Sequence, residues 1–230
     1  MKKTRKYIFL AFLIIFTQIL STGFTMPALI PVTSDNGKDI AQRDYSYRSL
    51  NDFIGAIASG NPDQVVGVYA AGVLAQRVVR QPKDNPGFVT SLPDAVTQFS
   101  VASKYGSLGF LAHNDLSGVM FFELGKNDII FVIYGDGTTR RYRVNEIRHF
   151  QALNPDSPYS DFLDLENGKA LLSAEDLFFQ TYGQADHVIF QTCIENNGKL
   201  TWGRLFVLAE PAEWFNYQGR KITGSLSLVN

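Results

Sequence analysis

The sequence predicts a mainly β domain, a barrel or sandwich of short strands, and three observations carry that prediction. Short runs rich in Val, Ile, Phe and Tyr recur from Val65 to Ala209. Gly, Asn, Asp and Pro clusters separate them at close intervals. Only two segments after the N-terminus show helical spacing.

The first of these lies at Ser49–Ser59, where Leu50, Phe53, Ile54 and Ile57 share one helical face and Gly60-Asn61-Pro62 stops the run. Its expected role is packing. Strands are then expected at Val65–Ala71, Val73–Arg80, Val96–Ala102, Leu108–His113, Val119–Leu124, Ile129–Tyr134 and Thr139–Phe150. His187–Cys193 and Thr201–Ala209 complete the set. Gly135-Asp136-Gly137 reads as a hairpin turn rather than a phosphate loop, because no helix follows it.

Residues 151–186 interrupt the strands. Asn154–Ser160 is a Pro-bearing loop, and Ser173 with Asp176 resembles a capping box that opens the helix AEDLFFQTY, which Gly183 can end. A helix-bearing crossover of this kind lets Thr139–Phe150 and His187–Cys193 run parallel in a mostly antiparallel sheet.

The chain has 230 residues, enough to bury a sizeable core. With 45% hydrophobic and 19% charged residues it is not globally disordered. A formal net charge of −1, with no basic stripe beyond the first residues, argues against nucleic acid as a partner. A single cysteine excludes an intramolecular disulfide and Cys-rich zinc sites, and no calcium loop or H-x-x-x-H pair is present. No metal or cofactor is therefore expected.

Lys2, Lys3, Arg5 and Lys6 precede the apolar run Tyr7–Leu20, and no acid occurs before Asp35. That is the pattern of an export signal; a cleaved signal peptide and an uncleaved signal anchor both fit residues 1–28. Residues 29–48 are polar and turn-rich and read as a linker. The folded domain is expected over 49–230, on the extracellular face of the cell membrane or secreted.

Export gives the lone Cys193 a sharper meaning, since an unpaired thiol outside the cell is inert and buried, intermolecular, or working. Asn197-Gly198 is the strongest short-range hairpin signal in the chain. With a two-residue turn there, Asn196 faces Lys199 and Cys193 faces Trp202, and Arg204, two residues further on, shares the face of Cys193. Such diagonal neighbours lie roughly 7–8 Å apart, within reach of a long side chain. A one-residue slip would undo this by flipping the face. A nearby guanidinium favours thiolate and can hydrogen-bond a developing oxyanion.

Three histidines could serve the thiol, and all precede it. Cys-first hydrolases of the papain type place their His after the Cys and are disfavoured. His187 lies on the same strand as Cys193, about 20 Å away if extended. His149 ends a long strand and is expected to face solvent. His113 closes the apolar run Leu108–Ala112 where a loop begins, and a strand-end His can point into a cleft. Asp115 could orient it. A His-before-Cys protease of the caspase type would need helices alternating with strands, which this chain lacks.

The segments LGFLAHN (108–114), FFELGKNDIIFVIYGDGTTRRYRV (121–144), IFQTC (189–193) and WGRLFVLAEP (202–211) together resemble a sortase. That family's pattern is an apolar strand ending in His, a TLxTC strand, and an Arg on the next strand. The resemblance implies a closed eight-stranded β-barrel over roughly residues 65–211. It implies a cysteine transpeptidase with His113, Cys193 and Arg204 as the catalytic residues. Thr192 and Asn114 become candidate substrate contacts. The implied partners are an exported protein with a C-terminal sorting signal and an amine acceptor on the cell wall or on another protein. An N-terminal segment left uncleaved would add the membrane. The competing expectation is a secreted module that keeps this fold for binding alone.

Overall fold

In the computed structural model, residues 49–157, 159–168, 170–212, 214–215 and 221–222 are described. The expected export segment and linker lie outside them. Among the described residues no helix is long and apolar enough to cross a membrane.

Ten strands form one sheet. They are β1 (Val65–Ala70), β2 (Leu74–Arg80), β3 (Ala95–Phe99), β4 (Leu108–Leu111), β5 (Ile129–Tyr134), β6 (Thr139–Ala152), β7 (Phe162–Asp164), β8 (Leu171–Leu172), β9 (Val188–Asn196) and β10 (Lys199–Pro211). Their order is β10-β9-β4-β3-β2-β1-β5-β6, and β6 pairs back onto β10. Eight strands therefore close on themselves, as expected, and the closure removes the free edges that a long apolar sheet would otherwise expose. β7 and β8 extend the sheet from the far end of β6.

The pairings are antiparallel except β2 with β3 and β4 with β9. β6 and β9 do run parallel, but they are not neighbours, because β10 lies between them and is antiparallel to both. The parallel partner of the Cys193 strand is instead β4.

Strand alternation sorts the core into layers. The barrel interior holds Val68, Phe110, Val132, Val144, Phe190 and Val207 among others. On the outside, helix α1 (Leu50–Ile57) lays Phe53 and Ile54 on Val66, Tyr69 and Ile133. This double cover explains why β1 is buried along its whole length. Ser49 caps α1, its hydroxyl accepting from the Asp52 amide.

Helix α3 (Ala174–Tyr182) packs Leu177, Phe178 and Tyr182 on a second outer patch made of Phe99, Ile189 and Phe206. Its N-cap is Ser173, accepting from Asp176 N–H, and Gly183 caps its end, as the capping-box pattern anticipates.

Two expected strands differ. Val96–Ala102 is strand only to Phe99 and then turns into the short helix α2 (Ser100–Ser103). Val119–Leu124 instead overlaps a 3₁₀ segment, Ser117–Glu123, which ends one residue before Leu124. The buried positions there are Ser117, Gly118, Met120 and Phe121, a helical rather than alternating spacing. Phe121 enters the barrel against Phe190, with ring centroids 5.0 Å apart, so the segment plugs one end of the barrel.

Candidate active site

The site is built on the outer face of β9. Alternation sends Val188, Phe190 and Thr192 inward and sets Ile189, Gln191 and Cys193 outward. Helix α3 covers the first two. Tyr182, fully buried, donates its hydroxyl to Gln191 Oε1 at 2.6 Å. Cys193 is the next residue on that face and lies partly exposed, with no disulfide partner. The thiol thus sits where the helical cover stops.

On one side β10 supplies Arg204. The Asn197-Gly198 turn is a two-residue turn with both residues at positive φ, 50° and 78°, and Lys199 faces Asn196 as expected. Beyond it the register shifts, because residues 200–202 of β10 stand opposite Glu195 alone, so that Gly203 faces Ile194. The partner of Cys193 is therefore Arg204 and not Trp202. A shift of two residues preserves the face, where a shift of one would have reversed it. The expected neighbour survives the bulge and moves from a diagonal to a direct position.

At Gly203 the β10 backbone closes on β6. A Cβ there would lie 2.5 Å from the Phe150 carbonyl oxygen of β6. Arg204 is 2% exposed. Its Nη1 donates to the carbonyls of Gly203 (2.6 Å) and Thr201 (3.0 Å), and its guanidinium carbon lies 5.9 Å from the centre of the Phe162 ring. Burial pulls the guanidinium below its ordinary pKa, and the Cys193 sulfur opposes that shift.

On the other side β4 supplies His113. The parallel register sets Leu111 beside Gln191, and the Ala112 amide donates to the Gln191 carbonyl at 3.3 Å. β4 ends at Leu111, and His113 follows two residues on, just past that bond to β9. The His113 carbonyl accepts from the amides of Leu116 (3.1 Å) and Gly118 (2.9 Å), which folds the following loop against the strand end. Gly118 is required there, since a Cβ would meet the Thr192 hydroxyl and lie 2.5 Å from the His113 carbonyl oxygen.

β9 and β10 set Cys193 and Arg204 directly opposite each other on the outer face, and His113 follows the end of β4, the neighbour of β9 on the other side. Among the described residues the other histidines are engaged elsewhere. His149 Nδ1 contacts Glu166 Oε1 at 2.5 Å, and His187 Nδ1 contacts the Ala185 carbonyl at 2.9 Å. No hydrogen bond joins Asp115 to His113 among the described residues.

Thr192 faces inward, is 2% exposed, and donates its hydroxyl to the Ala112 carbonyl at 2.9 Å. It ties β9 to the end of β4. Asn114 is partly exposed, and its amide donates to the Leu200 carbonyl at 3.1 Å, joining the loop after His113 to the β10 bulge. Among the described residues there is no cluster of His, Cys, Asp or Glu able to hold a metal ion.

No family model matches this sequence, and no curated protein matches it. Solved structures that it resembles include sortases. Sortase A of Listeria monocytogenes is 14% identical, with 65% of this chain and 88% of that chain covered and a TM-score of 0.40. Sortase C of Streptococcus pneumoniae is 14% identical, with 71% of each chain covered and a TM-score of 0.42. Sortase C1 of Streptococcus agalactiae is 15% identical, with 74% and 83% covered and a TM-score of 0.42.

Residue-by-residue reading of the sequence missed Tyr182 and Gln191, whose contact spans nine positions and two elements. It also missed Gly118 and Phe162, whose roles depend on which strands are neighbours.

Proposed function

We propose that this protein is an exported, sortase-like cysteine transpeptidase, and the observation that carries the proposal is the direct facing of Cys193 and the buried Arg204 across β9 and β10, with His113 two residues past the end of β4, the parallel neighbour of β9. The thiolate of Cys193 attacks a backbone carbonyl carbon in the sorting signal of another exported protein. A C–S bond forms, and the carbonyl oxygen takes up negative charge that the buried Arg204 guanidinium offsets. The C–N bond then breaks, and the His113 imidazolium gives its proton to the leaving amine.

The product is a thioester on Cys193 and a neutral His113. An incoming primary amine attacks the thioester, His113 takes the proton the nitrogen sheds, and the thiolate leaves with the new amide bond formed. The anchoring of Arg204 by two backbone carbonyls supports this reading, because a preorganised cation costs no rearrangement when charge develops. The N-terminal cations and the apolar run after them support a place for this chemistry at the outer face of the membrane or beyond it.

The test is capture of the intermediate. Purified protein is incubated with an exported-protein fraction from the source cells, quenched in acid, and digested for mass spectrometry. A peptide attached to Cys193, released by neutral hydroxylamine and absent from Cys193→Ala, is expected. Failure to find any hydroxylamine-labile adduct would favour a barrel that binds without reacting.

A further inference from the structure

Two buried arginines lie close together on the outer face, and they are held by different means. Arg148 donates to the Asp164 carboxylate at 2.8 Å, and its guanidinium carbon stands 4.8 Å from the centre of the Phe150 ring. Arg204 donates to the carbonyls of Gly203 and Thr201, and its guanidinium carbon stands over the Phe162 ring, 5.9 Å from the ring centre. Phe162 is 2% exposed, so ring and cation meet away from water.

The strand register explains why a ring and not a carboxylate reaches Arg204. Arg204 faces Phe150 across β10 and β6, and Phe150 faces Asp164 across β6 and β7. Asp164 therefore lies in the row of Arg204, one strand beyond Phe150. Its oxygens already accept from Arg148, from the Asn167 side chain and from the Glu166 and Asn167 amides. The carboxylate in that row is committed elsewhere. Phe162 sits one pleat along β7 on the same face and opposite Ala152 of β6. Ala152 has only a methyl group there, which leaves room for the ring to reach past β6 toward β10.

The two kinds of partner have different consequences for chemistry. A carboxylate would hold the guanidinium but cancel its charge. An aromatic face attracts a cation through the ring quadrupole, most strongly where water is excluded, and leaves the charge whole. It also occupies no N–H donor. A cation held in this way remains able to offset a negative oxygen that forms beside Cys193.

We propose that Phe162 is a positioning residue for Arg204, its ring face fixing the guanidinium beside Cys193 as an undiminished positive charge. The inference rests on the transpeptidase reading above and extends the site onto β7. The ring takes no part in the covalent steps.

The test weakens the ring face while keeping its shape. Phe162 is replaced by mono-, di- and trifluorinated phenylalanine in turn, each fluorine drawing electron density from the face. The rate at which a small aryl thioester acylates Cys193 is measured across the series, beside Phe162→Leu and Arg204→Ala. The rate is expected to fall stepwise, by about three- to ten-fold in total, as the cation–π attraction is withdrawn. Denaturant midpoints across the fluorinated series are expected to stay close together, because the packing is conserved. In Phe162→Leu the NMR signal of the Arg204 Nε–H is expected to lose the ring-current shift it has in the wild type.

A flat rate across the fluorinated series would overturn the proposal, and so would an unmoved Arg204 signal in Phe162→Leu. If Phe162→Leu does not fold, the fluorinated series decides alone. A flat series with slow Arg204→Ala would remove only the role of Phe162. Wild-type speed in Arg204→Ala would remove the transpeptidase reading, and the positioning role with it.

Discussion

Arg204 stands directly opposite Cys193 across the β9–β10 ladder because β10 carries two more residues than β9 between the hairpin turn and the site. An even insertion keeps side chains on their face, so the bulge tightens the pair without inverting it. Its carbonyls also serve the guanidinium, since Thr201 lies in the bulge and accepts from Arg204.

This anchoring makes the fork geometry matter as well as the charge. Arg204→Lys retains a cation but loses the planar fork that reaches Thr201 and Gly203. It is expected to fold and to lose about 10²–10³-fold in acyl transfer, the range for removal of one oxyanion donor. The check is the rate at which a small aryl thioester acylates Cys193. Retention of full activity would contradict the role given to the guanidinium.

Gly118 holds the end of β4 by close approach. Gly118→Ala sets a methyl group against the Thr192 hydroxyl and the His113 carbonyl. The expected cost is about 1–3 kcal/mol of stability, as for other overpacked sites. Because the displaced backbone is that of His113, labelling of Cys193 is expected to slow as well. Urea unfolding and thiol labelling of the same variant read the two effects.

The crossover is tied to the barrel by a buried ion pair. Arg148 Nη2 donates to Asp164 Oδ2 at 2.8 Å and to Gln180 Oε1 of α3 at 3.1 Å. Asp164 is 2% exposed. Asp164→Ala leaves the buried Arg148 with only the more distant, half-exposed Glu146, at 3.5 Å, as a carboxylate partner. It is expected to cost about 3–5 kcal/mol, measured by denaturant unfolding.

The same carboxylate governs an acid limit. Burial alone would raise the pKa of Asp164. Hydrogen bonds from the Asn167 side chain, Arg148 and the Asn167 and Glu166 amides outweigh it and bring the value to about 2. A depressed carboxylate stabilises the fold above its unfolded pKa, near 4, and that contribution fades as pH falls toward 2. The wild type is therefore expected to lose about 2 kcal/mol more than Asp164→Asn over that interval. A parallel pH dependence of the two proteins, followed by thermal unfolding, would refute the assignment.

Much of this fold is written locally. Most of the strand positions, the Ser173 cap and the Asn197-Gly198 turn follow from short-range chemistry and appear where the sequence places them. Val119–Leu124 misled because a short apolar run fits either period, and only its position at the barrel mouth decides for the 3₁₀ form. The facing of Cys193 and Arg204 was legible through hairpin parity, but the bulge was not, since nothing in Leu200–Trp202 announces two unpaired positions. The place of His113 depends on β4 and β9 being parallel neighbours, a pairing across 80 positions that no local pattern encodes.

The central claim is that His113, Cys193 and Arg204 act as one unit. The most direct measurement is the rate constant for alkylation of Cys193 by iodoacetamide at neutral pH in wild type, His113→Ala and Arg204→Ala, with circular dichroism confirming that each variant is folded. Both substitutions are expected to slow the reaction at least ten-fold. The same rate in all three proteins would contradict the account.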